Sequence, residues 1–196
     1  MPASSTPTVA VLAGINGAGK TSSSYPILTG ALGIPVFVNA DAIARGLNAF
    51  DVESEAVKAG RIMLAHLDEL AAARRSFAFE TTLATRTYAP RLEALKAAGY
   101  TSHLLYFWLD SPDEAIRRVA LRVASGGHHV PEETIRRRYS RSIRNFLGLY
   151  RSIVTTWTVY DNSNDRPRVI ASHNGYFELV GAPERWDMFQ RSATDG

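Results

Sequence analysis

The sequence predicts an α/β fold, a doubly wound parallel sheet of about five strands with helices on both faces. Three observations carry this prediction. Short apolar runs rich in β-branched and aromatic residues recur along the chain, and each stops at a glycine or a polar residue, as buried strands do. Segments with helical spacing of apolar residues separate these runs. A glycine-rich loop joins the first run to the first helical segment, and such alternation is typical of parallel sheets covered by helices.

Length and composition indicate one domain over residues 1–196. The 196 residues are 45% hydrophobic and 21% charged, which allows one sizeable core. The chain has no cysteine, which excludes a disulfide scaffold, a zinc–thiolate site, an iron–sulfur cluster and a cysteine nucleophile. Residues 1–7 are rich in Pro, Ser and Thr and are expected to be loose. Because neither a secretory signal nor an apolar run of about 18–20 residues is visible, we expect a cytoplasmic protein without a membrane segment.

The first 80 residues are expected to hold three strands and two helices. The strands are expected at residues 8–13, 35–38 and 77–80, and the helices at residues 19–28 and 53–73. In the longer helix, the spacing of apolar residues predicts one buried face. That face is made of Val57, Leu64, Leu67 and Ala71.

The rest of the chain continues the alternation. Strands are expected at residues 103–109, 154–160 and 168–171, and helices at residues 88–98, 112–125, 131–150 and 184–190. Ser111 is expected to cap the 112–125 helix, because Pro112 takes the first helical position and Glu114 lies three residues after the cap. The three tryptophans are expected in the core.

Residues 14–21, GINGAGKT, form the strongest motif in the chain. They match G-x-x-x-x-G-K-[ST] and lie between a predicted strand and a predicted helix, as this phosphate-binding loop requires. Glycines let backbone N–H groups turn around a phosphate, and the helix N-terminus adds partial positive charge. Lys20 is expected to reach the β- and γ-phosphates of ATP, and the Thr21 hydroxyl to bind Mg²⁺. The expected nucleotide-binding residues are Gly14, Asn16, Gly17, Ala18, Gly19, Lys20, Thr21 and Ser22.

The phosphate loop alone does not separate a kinase from a GTPase or a motor ATPase. A guanine-reading Asn/Thr-Lys-x-Asp motif is absent, and no lysine precedes Asp161-Asn162. A motor ATPase normally needs more chain for coupling to its partner. A compact chain with a late basic helical segment favours a small-molecule kinase whose arginine-bearing lid closes on ATP. A kinase for another metabolite or an antibiotic, and a nucleotide-dependent binding switch without transfer activity, are the alternatives.

Three carboxylates follow predicted strands, at the edge where open α/β sheets bind ligands. Asp41 is the candidate general base, because it could accept the proton of an acceptor hydroxyl near the γ-phosphate. The alternative for Asp41 is a helix cap for residues 42–47. Glu80, in the sequence FETT, could bind acceptor hydroxyls or a water on Mg²⁺, or be structural. Asp110 could act as a second acid near the metal, but Ser111-Pro112 behind it favours a turn and cap.

Basic residues concentrate between residues 117 and 144. The net charge of the chain is +3, whereas this segment holds eight arginines against two glutamates, so the remainder is −3. Two arginine-bearing helices joined by Gly126-Gly127 predict a lid over residues 112–150 that folds over a triphosphate. The same arginines could instead face solvent or bind nucleic acid, which the net negative charge of the rest of the chain disfavours. The expected core stripe of the second helix is Ile135, Tyr139, Ile143 and Phe146.

Several segments together resemble the zeta-toxin family of P-loop kinases, including UDP-N-acetylglucosamine kinases, and its shorter relatives. They are GINGAGKTS at 14–22, VNADAIARGL at 38–47, FETTLATR at 79–86, RRVALRVASGGHHVPEETIRRRYSRSIRN at 117–145 and, for the shorter relatives, YDNS at 160–163. The phosphate loop is generic. The Asn-Ala-Asp, Glu-Thr-Thr-Leu and Gly-Gly-His blocks taken together are more specific.

The resemblance implies Mg²⁺-dependent transfer of the γ-phosphate of ATP to a hydroxyl of a UDP-linked N-acetyl amino sugar, with Asp41 as the base. The implied charge stabilisers are Lys20, Arg122 and Arg138. The residues leave open which of four arginines contacts the phosphates: Arg136, Arg137, Arg138 or Arg141. The expected acceptor-binding residues are Asn39, Glu80, Thr81 and His128. Because family toxins are commonly held inactive by a small helical antitoxin, the resemblance also implies such a protein partner.

Overall fold

The computed structural model describes residues 6–127, 129–164 and 166–194. Its strands are β1 (Thr8–Ala13), β2 (Phe37–Val38), β3 (Phe77–Thr81), β4 (Thr101–Trp108), β5 (Thr156–Asp161), β6 (Arg168–His173) and β7 (Glu178–Val180). Within these residues the strands form one sheet in the order β2-β3-β1-β4-β5-β6-β7. Helices pack around the sheet, which confirms the predicted α/β class.

The first strand lies between two parallel neighbours. β1 pairs with β3 on one side and with β4 on the other, so that Ala13 lies opposite both Thr81 and Tyr106. β2 pairs with the far side of β3, with Val38 opposite Phe79. Because these strands are parallel, their carboxyl ends lie at one edge of the sheet. The segments that follow β1, β2 and β3 therefore meet at that edge.

The last two strands correct the prediction of an all-parallel sheet of about five strands. β4 and β5 are parallel, but β6 pairs antiparallel with β5, and β7 pairs antiparallel with β6. The connections on either side of β6 are short, whereas a parallel pair needs a crossover of a dozen or more residues. The short loops therefore reverse the chain. The three residues of β7, which the sequence pattern does not predict, are all exposed.

The six helices expected from the sequence appear in order, together with two further helices at Ala40–Leu47 and Arg151–Ile153. They are α1 (Lys20–Tyr25), α2 (Ala40–Leu47), α3 (Ala56–Ala72), α4 (Ala89–Ala97), α5 (Pro112–Ala124), α6 (Glu132–Asn145), α7 (Arg151–Ile153) and α8 (Pro183–Arg191). π-helical turns at Pro26–Ala31 and Phe146–Tyr150 continue α1 and α6. The helix predicted at residues 131–150 is therefore two segments of different winding. No helix among the described residues is both long and apolar enough to cross a membrane.

The buried face of α3 differs from the predicted one. The helix buries Ala59, Met63, Leu67 and Leu70. Only Leu67 belongs to both sets, and Val57 is 69% exposed. The helical period is right but its phase is wrong, because this alanine-rich helix carries apolar residues on more than one face and packing selects the stripe that is buried.

Aromatic side chains from both halves of the chain form the core beside α6. The predicted stripe of that helix is buried, as are all three tryptophans: Ile135, Tyr139, Ile143, Phe146, Trp108, Trp157 and Trp186. The Phe146 ring lies 5.1 Å from Tyr106, 5.5 Å from Trp157 and 5.6 Å from Phe189, between ring centroids. This packing fixes α6 against the sheet, and with it the polar residues that α6 carries toward the site.

The first turn of α5 carries an ion-pair cluster. Ser111 caps the helix as predicted, and its Oγ accepts a hydrogen bond from the Glu114 backbone N–H at 3.2 Å. Arg117 donates two hydrogen bonds of 2.7 Å to the Glu114 carboxylate, and Arg118 Nε donates one of 2.5 Å. The hydrogen bonds from Arg117, aided by those from Arg118 and opposed by burial, lower the pKa of Glu114 from 4.5 to about 2.

This cluster predicts an acid-dependent loss of stability. Because the folded-state pKa of Glu114 is depressed, its contribution to stability is present above pH 4.5 and is lost as the pH falls toward 2. In Glu114→Gln the contribution is absent at every pH. We therefore expect the difference in unfolding free energy between wild type and Glu114→Gln to shrink across this window in denaturant titrations at several pH values. A difference that stays constant down to pH 2 would contradict the assignment.

Candidate active site

The predicted phosphate loop is a tight turn between β1 and α1. Gly14, Gly17 and Gly19 all have positive φ angles, of 133°, 84° and 76°. A Cβ at Gly14 would lie 2.2 Å from the Phe107 carbonyl oxygen, and one at Gly17 would lie 2.7 Å from that of Ala115. The loop therefore takes this shape only with glycine. It presents its backbone at the N-terminus of a helix, where an anion is favoured.

Lys20 is buried against this loop. Its Nζ donates a hydrogen bond to the Ile15 carbonyl at 3.0 Å and lies 3.4 Å from Oε1 of Glu80. Burial lowers the pKa of Lys20, and the carboxylate of Glu80 opposes that effect, followed more weakly by Asp41. The amine is thus held between the turn of the loop and the acidic residues that follow the neighbouring strands.

Glu80, at the end of β3, gathers three of the predicted site residues. Thr21 Oγ1 donates a hydrogen bond to Glu80 Oε2 at 2.7 Å, and Asn39 Nδ2 donates to the same oxygen at 3.0 Å. Lys20 lies at the other carboxylate oxygen. Lys20 and Thr21 follow β1 and Asn39 follows β2, so the arrangement depends on β3 lying between those two strands. Glu80 is therefore the centre of the site.

The side chains of Thr21 and Glu80 suit a magnesium ion. Both present oxygen, the ligand that Mg²⁺ prefers, and these oxygens are within 2.7 Å of each other. The described residues contain no group of three or more His, Cys, Asp or Glu that could hold a metal by themselves. Mg²⁺ is usually bound by one or two protein ligands together with substrate phosphates and water.

Asp41 lies on a cavity of about 250 Å³ in front of Glu80. Asn39, rather than Asp41, caps α2, because its Oδ1 accepts hydrogen bonds from the N–H groups of Asp41 at 2.8 Å and Ala42 at 3.3 Å. The cap alternative for Asp41 is therefore wrong. The Asp41 carboxylate is exposed and acts electrostatically on both Lys20 and Arg138.

One arginine of the basic segment enters this cavity. Arg138, half-buried on α6, donates a hydrogen bond from Nη1 to Asn16 Oδ1 of the phosphate loop at 3.0 Å. Its neighbours point elsewhere. Arg136 pairs with Asp113 at 2.6 Å, and Arg137 and Arg141 are exposed and line a separate hollow between α5 and α6. Of the four arginines left open by the sequence, the structure therefore brings Arg138 to the loop.

The remaining predicted residues lie in different places. Thr81 lines the same cavity, whereas Ser22 is exposed in the first turn of α1. Arg122 is exposed at the end of α5, and its charge reaches Lys20, where it helps lower the pKa. The Gly126-Gly127 turn follows, with the Gly127 N–H donating to the Arg122 carbonyl at 2.8 Å. His128 lies outside the described residues.

Asp110 does not join the site. Its carboxylate lies 3.3 Å from Nη2 of Arg185, and its backbone N–H donates to Ser163 Oγ at 3.0 Å. Arg185 also binds Asp161 at 2.7 Å and lies over the Trp108 ring. Asp110 is thus part of a cluster that joins α8 to the ends of β4 and β5, which supports the turn-and-cap interpretation.

The loop after β3 is held from behind by residues that sequence reasoning did not place in the site. Ser142 Oγ donates to the Thr82 carbonyl at 2.5 Å, Asn145 Nδ2 to the Leu83 carbonyl at 2.7 Å, and Tyr150 OH to the Thr85 carbonyl at 2.8 Å. All three donors are buried. In the sequence, the signal for Ser142 and Asn145 is their position beside the apolar stripe of α6. The three donors hold a wall of the cavity, to which Thr82 and Thr85 belong.

A family model described as Zeta toxin matches residues 1–173. An uncharacterized protein of Haemophilus influenzae is 27% identical over 127 residues, which are 64% of this chain and 88% of that protein.

Two solved structures share the fold. One is a chain of the AvrRxo1-ORF1:-ORF2 complex with ATP, with a TM-score of 0.75, 16% identity and coverage of 94% of this chain. This chain spans only 63% of that longer chain. The other comes from the PezAT chromosomal toxin–antitoxin system of Streptococcus pneumoniae, with a TM-score of 0.68, 19% identity and coverage of 98% of this chain and 80% of that one.

Proposed function

The chain belongs to the zeta toxin family, and we propose that it transfers the γ-phosphate of ATP to a hydroxyl group of a small molecule. The observation that carries the proposal is the convergence on Glu80 of the phosphate-loop residues Lys20 and Thr21 with Asn39. The proposal is supported by the way residues of the glycine-rich loop, the Lys20 cation and the Glu80 carboxylate line one cavity.

In the proposed reaction the acceptor oxygen attacks the γ-phosphorus, and the bond from that phosphorus to the β–γ bridging oxygen breaks. ADP leaves with the bridging oxygen. The hydroxyl proton passes to the Asp41 carboxylate, which lies on the cavity and is not used as a helix cap. Lys20 and Arg138 stabilise the charge that develops on the transferred group.

Thr21 and Glu80 would hold Mg²⁺ at the edge of the same cavity, Glu80 directly or through a water. When bound, the ion neutralises charge on the β- and γ-phosphates. Lys20 already lies against Glu80. The Glu80 carboxylate would therefore contact both the ion and the lysine that binds phosphate.

The leading acceptor is a UDP-linked N-acetyl amino sugar, as in the family that the chain belongs to. The cavity wall carries Asn39, Thr81, Thr82 and Thr85, which can exchange hydrogen bonds with sugar hydroxyls. A smaller hydroxyl compound is the second candidate, because the cavity of about 250 Å³ is smaller than the roughly 300–1,000 Å³ usual for a small-molecule site. Like the chain of the PezAT system, this one would have an antitoxin protein as partner.

A transfer assay tests the proposal. The protein is incubated with γ-labelled ATP, Mg²⁺ and either UDP-N-acetylglucosamine, free N-acetylglucosamine or an extract of small metabolites. Label transferred to a hydroxyl of one of these is the expected result. Tight ATP binding without transfer to any acceptor would instead indicate a nucleotide-dependent binding switch.

Lys20→Ala supplies the matched inactive variant. Removing the amine takes away a fixed cation beside the phosphates, so the transfer rate should fall by about 10²–10³-fold, as when one stabilising donor is lost from a catalytic site. Lys58→Ala is the control, because Lys58 is an exposed lysine of α3 that pairs only with Glu55 among the described residues. Equal rates for Lys20→Ala and wild type would contradict the assignment of the loop.

A further inference from the structure

Asn162 connects the end of β5 to the phosphate loop. The side chain is buried, and its Nδ2 donates a hydrogen bond of 2.8 Å to the carbonyl oxygen of Ala18. The backbone N–H of Asn162 donates to the Trp108 carbonyl at 2.8 Å, which anchors the residue to the end of β4. Two residues 144 positions apart in sequence are thereby joined.

The Asn162 amide lies so close to Gly19 that no side chain would fit at that position. A Cβ on Gly19 would lie 2.5 Å from Nδ2 of Asn162, and Gly19 itself has a φ angle of 76°. The absence of a side chain at Gly19 therefore serves two purposes, the left-handed turn and the approach of Asn162. The amide of Asn162 packs directly under the turn that leads into Lys20.

A second layer holds Asn162 in place. Arg118 Nη1 donates to the Asn162 carbonyl at 2.8 Å, and Nη2 donates to the Ser163 carbonyl at 3.0 Å. Glu114 in turn accepts from Arg118 Nε. Arg118 therefore binds the loop after β5, and not the phosphate loop that the predicted lid was expected to cover.

We infer that Asn162 is a positioning residue for ATP binding, acting by fixing the Ala18 carbonyl so that the phosphate loop keeps its binding shape. The inference rests on the proposed function, since it names a residue that prepares the loop of that site. A loop of this kind binds phosphate with backbone N–H groups that face inward, so intervening carbonyls must face outward and need donors. The Asn162 amide supplies the donor for Ala18 where water is excluded.

Asn162→Asp and Asn162→Ala both remove this donor. In Asn162→Ala the Ala18 carbonyl is left without the amide. In Asn162→Asp an acceptor faces the Ala18 carbonyl and negative charge is added behind the loop. Leaving a buried carbonyl unpaired is costly, and we expect the Kd for ATP to rise about 10-fold in Asn162→Ala and more in Asn162→Asp. The KM for ATP should rise in parallel, while the KM for the acceptor stays unchanged.

Two control variants separate positioning from a general loss of stability. Asn145→Ala also removes a buried amide that donates to a backbone carbonyl, that of Leu83, but on the acceptor side of the site. It should lower the melting temperature without changing the Kd for ATP. Asn164→Ala alters an exposed asparagine two residues beyond Asn162 and should change neither quantity.

The Kd for ATP is measured by isothermal titration calorimetry well below each variant's melting temperature. The KM values are then measured by steady-state kinetics. Weaker ATP binding in both Asn162 variants but not in Asn145→Ala supports the inference. An unchanged Kd in folded Asn162→Ala overturns it, and this variant keeps the test decisive if Asn162→Asp does not fold. Failure of the wild-type protein to bind ATP would instead overturn the proposed function, so the two failures are distinguishable.

Discussion

Replacing Arg138 by alanine is expected to lower kcat for phosphotransfer by about 10³–10⁵-fold, the range found for arginines that stabilise a transferring phosphoryl group. Arg138 is half-buried, lies on the cavity and contacts Asn16 of the phosphate loop. Burial lowers its pKa, as does Arg137, while Asp41 opposes them. The guanidinium remains charged, and in a partly desolvated position that charge acts more strongly on phosphate than it would in water.

The control for Arg138 is present in the same helix. Arg141 is exposed one turn further along α6 and lines a separate hollow that includes no residue of the phosphate loop. We expect Arg141→Ala to retain nearly all of the transfer rate. Single-turnover rates measured at saturating ATP compare the two variants directly. Equal losses in both would show that the arginines act through overall charge and would refute a specific role for Arg138.

Asp41→Asn is expected to lower kcat by about 10²–10⁴-fold, because the amide keeps the size of the side chain but cannot take the acceptor proton. The cap of α2 is left intact, since Asn39 supplies it through hydrogen bonds to the backbone N–H groups of Asp41 and Ala42. The melting temperature should therefore change little while the rate falls. That separation distinguishes a base from a structural carboxylate.

The test of Asp41 is a comparison of single-turnover rates, melting temperatures and ATP affinity. Asp41→Asn should transfer phosphate slowly while its melting temperature stays close to that of wild type. The Kd for ATP should stay close to that of wild type. Full product formation in Asp41→Asn, alongside its loss in Lys20→Ala, would exclude Asp41 as the base.

Local signals were sufficient for most elements of the fold. β1 begins and ends where the β-branched run predicts, and Ser111 caps α5 with Glu114 at the expected spacing. These features depend on residues within a few positions of each other. The buried face of α3 and the antiparallel β6 and β7 were predicted wrongly or not at all, because they depend on which neighbours the chain meets.

The chemistry that is available can be predicted from short motifs: the phosphate loop of residues 14–21, the carboxylates after β2 and β3, and a surplus of arginine between residues 117 and 144. Which of these groups meet depends on the folded chain. It selects Arg138 from among its neighbours, gives the helix cap to Asn39 rather than Asp41, and places Asn162 against Ala18. The reason is physical. A motif is read from residues close in sequence, whereas these contacts depend on strand order and on the packing of α6, which bring together segments up to 144 positions apart.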